Sequence, residues 1–313
     1  MADGHLVEAA TVPMTRGGRA WLDYLRPLRF DHWIKNLVVP VGSTLALVAH
    51  GTVPTPEIVW VAILAFVLSG CVSSVNYAIN EILDAPFDAR HPVKRARPIP
   101  SGRVRVWPLL IVTALLGVGA FVAAIWLFPP LFAVASFALF VAGLIYNLPP
   151  IRLKDWPYLD AVVESLTNPI RLAIGWYAVA STQPAHPPLF LLAAVWAFGA
   201  FLMTGKRLAE LRLLGELAAR YRPTFKVYSI PALLGVQLGY AVLGLLALAG
   251  LFAAERPGLL PSLPFVALVV AWTLKMTFEP QSPLIDPEHL YRRPVFLLLA
   301  LGIFAALVVW AVG

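Results

Sequence analysis

Asn80, Asp84 and Asp88 recur every four residues in NEILDAPFDARHPVKRARPIPSGRV, residues 80–104 of a 313-residue chain. On a helix, that spacing stacks three oxygen-bearing side chains along one face, about 6 Å per step. Two carboxylates and an amide oxygen are hard ligands suited to Mg2+, which takes one or two carboxylates, keeps waters and completes its shell with substrate phosphates. Arg90, Lys94, Arg95 and Arg97 follow at once and offer direct cationic contacts, the arginines in bidentate geometry. Together they form a device for gripping a diphosphate and stabilising it as it leaves. The alternative is a solvated loop whose acids offset its bases, but a metal-compatible period at the end of a membrane helix argues against it. Pro86 removes the bond back to Ile82 and crowds that turn. The expectation is therefore a helix that bends or ends between the aspartates, with Asp88 on a looser turn.

The elements that position these residues are membrane helices. Hydrophobic residues make up 59% of the chain and charged residues 13%, about half the charged share of a soluble domain. Apolar stretches long enough to cross about 30 Å of hydrocarbon fall near 34–50, 57–80, 106–127, 130–147, 159–180, 187–204, 229–253, 261–279 and 294–312. The expected fold is an all-α polytopic bundle of nine transmembrane helices forming one domain from residue 21 to 313. Residues 1–20 read as a disordered leader without the apolar core of a secretory signal. Trp21, Leu22, Tyr24, Leu25 and Leu28, with Arg26 and Arg29 among them, read as an interfacial amphipathic helix. The single cysteine, Cys71, cannot form an intrachain disulfide.

Charge orients the bundle. Of the 24 basic residues, all but Arg171 and Arg256 fall in the leader and in alternate loops, and Lys and Arg mark the cytoplasmic side. The reading is a multi-pass protein of the plasma (inner) membrane with N-terminus and active site cytoplasmic, and site loops near 80–105, 147–158 and 205–228. The net charge of +7 is then a property of one membrane face. No aromatic-interleaved basic module of the nucleic-acid-binding kind is present. A transporter or lipid-binding protein without chemistry would carry polar residues near the midplane or paired broken helices, whereas here polar chemistry gathers at one face.

Two other basic-face segments carry candidates. In YNLPPIRLKDWPYLD, Tyr146, Arg152, Lys154, Asp155 and Asp160 cluster where two spans meet the cytoplasm, on a loop that paired prolines hold extended. In TGKRLAELRLL, Lys206 and Arg207 could hold a phosphate oxygen directly, or Lys206 could pair with Glu210 at i, i+4. Arg171 lies inside the fifth span beside Asn168 and Pro169, where a charge normally faces a cavity or a partner. Contact with ligand and a structural ion pair are both open for it.

NEILDAPFD resembles the first aspartate-rich motif, N-D-x-x-D-x-x-x-D, of the UbiA superfamily of intramembrane prenyltransferases, with Glu81 where the family usually has Asp. HPVKRARPIPSGRV resembles the basic segment that follows it there. The resemblance implies that Asn80, Asp84, Asp88 and Glu81 bind Mg2+ and an isoprenoid diphosphate at the cytoplasmic end of a lipid-open cavity. It also makes the loop with Tyr146, Arg152 and Lys154 a contact for donor phosphate. The family's second motif, D-x-x-x-D, is missing: residues 204–229 contain no aspartate, so a second Mg2+ is not expected. LRPLRFDHWIKN, HPVKRARPI and GKRLAEL are similar to the decaprenyl-phosphate phosphoribosyltransferase branch, in which phosphoribosyl diphosphate is the donor and a polyprenyl monophosphate the acceptor. The YNLPPIRLKDWPYLD loop looks more like prenyl-transferring relatives.

The expected activity is thus a Mg2+-dependent transfer of an isoprenoid group from a prenyl diphosphate to a small-molecule acceptor within membrane lipid. Phosphoribosyl transfer to polyprenyl phosphate is the runner-up. In either, Asp84 and Asp88 serve the metal. Lys94, Arg95, Arg97 and Lys154 support the diphosphate, and Asp160 is the candidate general base.

Overall fold

A computed structural model of the protein describes residues 20–89, 94–179 and 186–285, with residues 290, 293 and 294. Long uncharged runs leave the backbone no partner but itself in lipid, so helices are the economical solution. Regular structure among the described residues is accordingly all helical. A short α1 (Ala20–Leu25) leads through 3-10 turns to α2 (Val38–Ala49). There follow α3 (Pro56–Asp88), α4 (Val106–Leu127), α5 (Pro130–Asn147), α6 (Leu159–Val179) and α7 (Leu189–Leu214). A four-residue α8 (Ala218–Tyr221) precedes α9 (Ile230–Glu255) and α10 (Leu263–Met276). Thr55 starts α3, its Oγ1 accepting from the Ile58 amide, with Pro56 at the first helical position.

Six helical runs are long and apolar enough to cross a membrane: Pro56–Asp88, Val106–Leu127, Pro130–Asn147, Leu189–Leu214, Ile230–Glu255 and Pro257–Met276. The protein is an integral membrane protein. Two expected spans differ from these. The first is divided, with a 3-10 segment over Phe30–Leu37 before twelve residues of α2. The fifth, α6, carries Asp160, Glu164 and Arg171 and packs against α2, α3, α5 and α7. Its neighbours are protein rather than lipid, which is how it tolerates charge. The sixth span is longer than expected, so Lys206, Arg207 and Glu210 lie on α7 and not in a loop. The ninth span, the leader before Ala20 and Arg90 lie outside the described residues.

α2 and α6 pack backbone to backbone. A Cβ on Gly42 would collide with the Leu172 carbonyl, and one on Gly175 with the Val39 carbonyl; small residues permit that approach. Ser43 Oγ donates to the Gly175 carbonyl at 2.8 Å. The main apolar core lies between α2, α3, α4, α5 and α6 and includes Val39, Leu68, Val72, Phe132, Leu139 and Ile174.

The basic segments meet. Arg103 Nη1 reaches Asp23 at 3.2 Å, Arg222 Nη2 donates to the Lys154 carbonyl at 3.0 Å, and Arg212 Nη1 donates to the Thr277 carbonyl at 3.0 Å. Segments preceding α2 and following α3, α5, α7 and α10 therefore share one end of the bundle, as the charge alternation requires.

Candidate active site

The acidic residues lie on the last turns of α3, which continues through Pro86 to Asp88. This corrects the expectation of a helix that ends between the aspartates. Pro86 sits in the final turn, where its missing N–H removes a single ladder bond, and the Ala89 amide still donates to Ala85 at 3.0 Å. Asp84 is clasped by two cations from the segment between α5 and α6. Lys154 Nζ donates to both its oxygens at 2.7 and 2.9 Å, and Arg152 Nη2 to Oδ1 at 2.8 Å. The same ammonium donates to Asn80 Oδ1 at 2.8 Å and Asn147 Oδ1 at 3.1 Å. Asp88 accepts from Arg97 Nη1 at 2.6 Å and has Lys94 at 4.0 Å. Arg95 is exposed.

The loop that presents Lys154 is held under strain. Arg152 and Tyr158 have φ of 35° and 66°, a conformation that costs a non-glycine residue about 1–3 kcal/mol and clusters at functional sites. Arg152 is further fixed by Asp155 at 2.7 Å and by stacking over Phe87. Burial pushes the Lys154 ammonium below the ordinary lysine value, and Asp84 opposes that shift.

Among the described residues, no three His, Cys, Asp or Glu side chains stand close enough to hold an ion by themselves. The donor set is instead Asn80, Asp84 and Asp88, with Glu81 buried beside them and its Oε1 without a hydrogen-bond partner. Such a set suits Mg2+ that arrives with phosphate oxygens and water, not an all-protein cage. When bound, the ion would supply charge stabilisation to a departing diphosphate.

A second charged cluster lies deeper, on α6 and α7. Arg207 is 3% exposed and donates to Asp160 at 2.7 Å, Glu210 at 2.9 Å and Glu164 at 3.4 Å. Asp160 is completely buried, accepts from Tyr228, and lies 3.4 Å from Arg222 Nη2. Burial beside Asp160 pushes the Tyr228 phenol well above its ordinary range. These contacts correct two expectations. Asp160 cannot take a proton from an acceptor, because its oxygens are enclosed and occupied. Arg207 is neutralised by three carboxylates rather than open to phosphate. Lys206 does not pair with Glu210, which faces Arg207 instead; Lys206 has no ion-pair partner among the described residues.

Tyr146 joins the inner cluster, donating to Glu164 at 3.1 Å and accepting from Arg222 at 3.1 Å. Arg171 is buried and contacts neither cluster. Its Nε donates to Asn36 Oδ1 at 2.8 Å and its Nη1 to Thr167 Oγ1 at 2.7 Å, so it is a hydrogen-bonded framework group and not an ion pair. Sequence reasoning missed Glu164, Arg222, Tyr228, Asn147 and Lys35, whose Nζ lies 4.0 Å from Glu164. The i, i+4 pair of carboxylates Asp160 and Glu164 within a membrane helix was the available signal.

Comparison with known proteins bears on the family and the fold. Residues 37–284 match the UbiA prenyltransferase family. A decaprenyl-phosphate phosphoribosyltransferase of Mycobacterium tuberculosis is 31% identical over 235 residues, 75% of this chain and 74% of that protein. A protoheme IX farnesyltransferase of Alkalilimnicola ehrlichii is 31% identical over 180 residues, 56% of each chain. The solved structure of a UbiA homolog from Archaeoglobus fulgidus bound to GPP and Mg2+ superposes with a TM-score of 0.65 at 18% identity, covering 93% of this chain and 99% of that one.

Proposed function

The chain belongs to the UbiA prenyltransferase family, and from that premise we propose a Mg2+-dependent transferase that breaks the carbon–oxygen bond of a diphosphate ester. The observation that carries this reading is Asp84 held between Lys154 and Arg152 at the end of α3. Acids suited to the ion and cations suited to phosphate oxygens stand side by side there, which supports the reading. On binding, Lys154, Arg152, Arg97 and Lys94 exchange carboxylate partners for phosphate oxygens, and they neutralise charge as it builds on the leaving group. Asn147, which has no part in the metal donor set, keeps Lys154 oriented throughout.

Of the two donors, phosphoribosyl diphosphate is favoured. The Mycobacterium tuberculosis relative supports it, as does the absence of any aspartate between residues 204 and 229. The C1–O bond of the ribose breaks, diphosphate departs with the electron pair, and a phosphate oxygen of polyprenyl phosphate forms the new bond to C1. An acceptor that is already an oxyanion needs no general base, and the enclosure of Asp160 leaves none in view. Prenyl transfer is the second reading, supported by the protoheme IX farnesyltransferase relative. It would need a group to take the acceptor's proton. The test is to incubate detergent-solubilised full-length protein and Mg2+ with phosphoribosyl diphosphate and polyprenyl phosphate, or with prenyl diphosphates and acceptor extract. Labelled phosphoribosyl lipid is expected from the first mixture. Product from the second alone would reverse the choice of donor.

A further inference from the structure

Resting on the phosphoribosyl reading, we propose that the cleft between residues 22–31 and the end of α3 is the subsite for the donor's phosphorylated sugar. Glu81 accepts its hydroxyls there, and Arg29 and Arg26 take the phosphate remote from the bond that breaks. The cleft is an open cavity of about 560 Å³ within the size range of small-ligand sites; Leu22, Leu25, Phe30 and Pro98 give it apolar walls, and Arg26, Arg29, Asp31, Glu81 and Arg97 are its polar groups. It adjoins the end of α3 that holds the metal ligands. Arg97 lines it and also bonds Asp88, and Glu81 lies one helical turn before Asp84.

Glu81 decides the chemistry. It is 5% exposed, and its Oε1 has no hydrogen-bond partner. A buried acceptor left unpaired costs about 1–3 kcal/mol, and a ligand that brings hydroxyl donors removes that cost. An isoprenoid chain brings none, whereas a ribose brings two. Arg29 supplies the second observation. It sits in the left-handed region at φ 50° and ψ 53°, strained backbone of the sort that persists at ligand clamps. Its guanidinium contacts His32 Nε2 at 2.6 Å and has no carboxylate in ion-pair contact among the described residues. Arg26, one turn earlier, pairs with Asp23 at 3.2 Å and is largely exposed. Phosphoribosyl diphosphate carries phosphate at both ends, so the end away from Asp84 and Asp88 requires cations of its own. Glu81 and the arginines give the cleft the polar groups a sugar phosphate needs.

The experiment measures binding to the full-length protein in detergent, with ribose 5-phosphate and Mg2+ pyrophosphate as separate probes. Wild type is expected to bind both. Arg29→Gln is expected to weaken ribose 5-phosphate about tenfold while changing pyrophosphate less than about twofold. Glu81→Ala is expected to erase a preference of about tenfold for ribose 5-phosphate over its 2-deoxy analogue. Ribose 5-phosphate that binds wild type and both variants alike overturns the subsite and leaves the donor reading intact. A wild type that binds Mg2+ pyrophosphate and prenyl diphosphate but not ribose 5-phosphate overturns the donor reading itself. Displacement of ribose 5-phosphate by polyprenyl phosphate, with Arg29→Gln weakening only the lipid, assigns the cleft to the acceptor and also overturns the proposal.

Discussion

Asp84 and Asp160 are both carboxylates bonded to arginine and a second donor at the same end of the bundle, yet they do different work. Asp84 is 21% exposed, and its partners come from a strained loop. Asp160 is 0% exposed, and its arginine is rooted on α7 and shared with Glu164 and Glu210. Under the proposed function, the outer acids exchange partners when a metal and a diphosphate arrive. The inner ones cannot, because separating Asp160 from Arg207 would leave a charge unpaired in a dry interior. Residue type marks a charged site, and enclosure decides whether it is chemistry or framework.

The sharpest way to break that contrast is to remove each acid and ask which property fails. Asp84→Ala should lower turnover by about 10³-fold, near 4 kcal/mol of barrier. Unfolding should shift by less than about 1.5 kcal/mol, since Lys154 keeps Asn80 and Asn147. Radiolabelled product formation and thermal denaturation in the same detergent separate the two. Wild-type turnover in this variant would remove the metal assignment. Asp160→Ala should do the reverse, costing about 3–5 kcal/mol of stability by breaking the buried ion pair with Arg207 and leaving the Tyr228 hydroxyl without its acceptor, with loss of folded yield exceeding any change in turnover per folded molecule. A variant as stable as wild type would show that the inner cluster is not the framework.

Arg222 sharpens the comparison because it touches both clusters. It donates twice to the Lys154 carbonyl, at 3.0 and 3.3 Å, and also reaches Tyr146 and Asp160. Arg222→Gln should raise the donor KM by about 10–100-fold, as loss of an outer-shell support does, while the acceptor KM stays near wild type. Equal change in both would mean general loosening rather than misplacement of Lys154.

The outer cluster was more legible in the sequence than the inner one, for a physical reason. Asn80, Asp84 and Asp88 announce themselves by helical spacing, and Arg97 lies nine residues from its partner. Asp160 and Arg207 are 47 residues apart, Asp160 and Tyr228 are 68, and Arg171 and Asn36 are 135. Periodicity within a helix cannot report which helix will face it. The alternation of basic loops placed these segments at one end, and hydropathy found the lipid-facing spans. It bounded α6 to within a residue even though that helix, surrounded by protein, carries charge, but it ended the sixth span too early, because α7 runs on past the apolar stretch into Lys206 and Arg207. Enclosure, which turned Asp160 from a base into an anchor, has no signature along the chain.

The smallest expected effect tests the same contrast by titration. Lys154 is the cation bonded to Asp84 that can lose its proton, and burial already holds it below the ordinary lysine value. In the unfolded chain that lysine keeps its proton up to about pH 10.4. Between the two values the unfolded state binds more protons, so this group makes unfolding harder as pH rises through the window; below it, the cost of burying the charge is fully present. Wild type should therefore gain stability relative to Lys154→Met on the alkaline side. Function should move the other way, because a neutral amine no longer balances donor phosphate and the donor KM rises a few-fold over the same window. Lys154→Arg keeps its charge throughout and should lose that alkaline limb. A limb that persists unchanged in Lys154→Arg would take Lys154 out of donor binding and leave it, like Asp160, as framework.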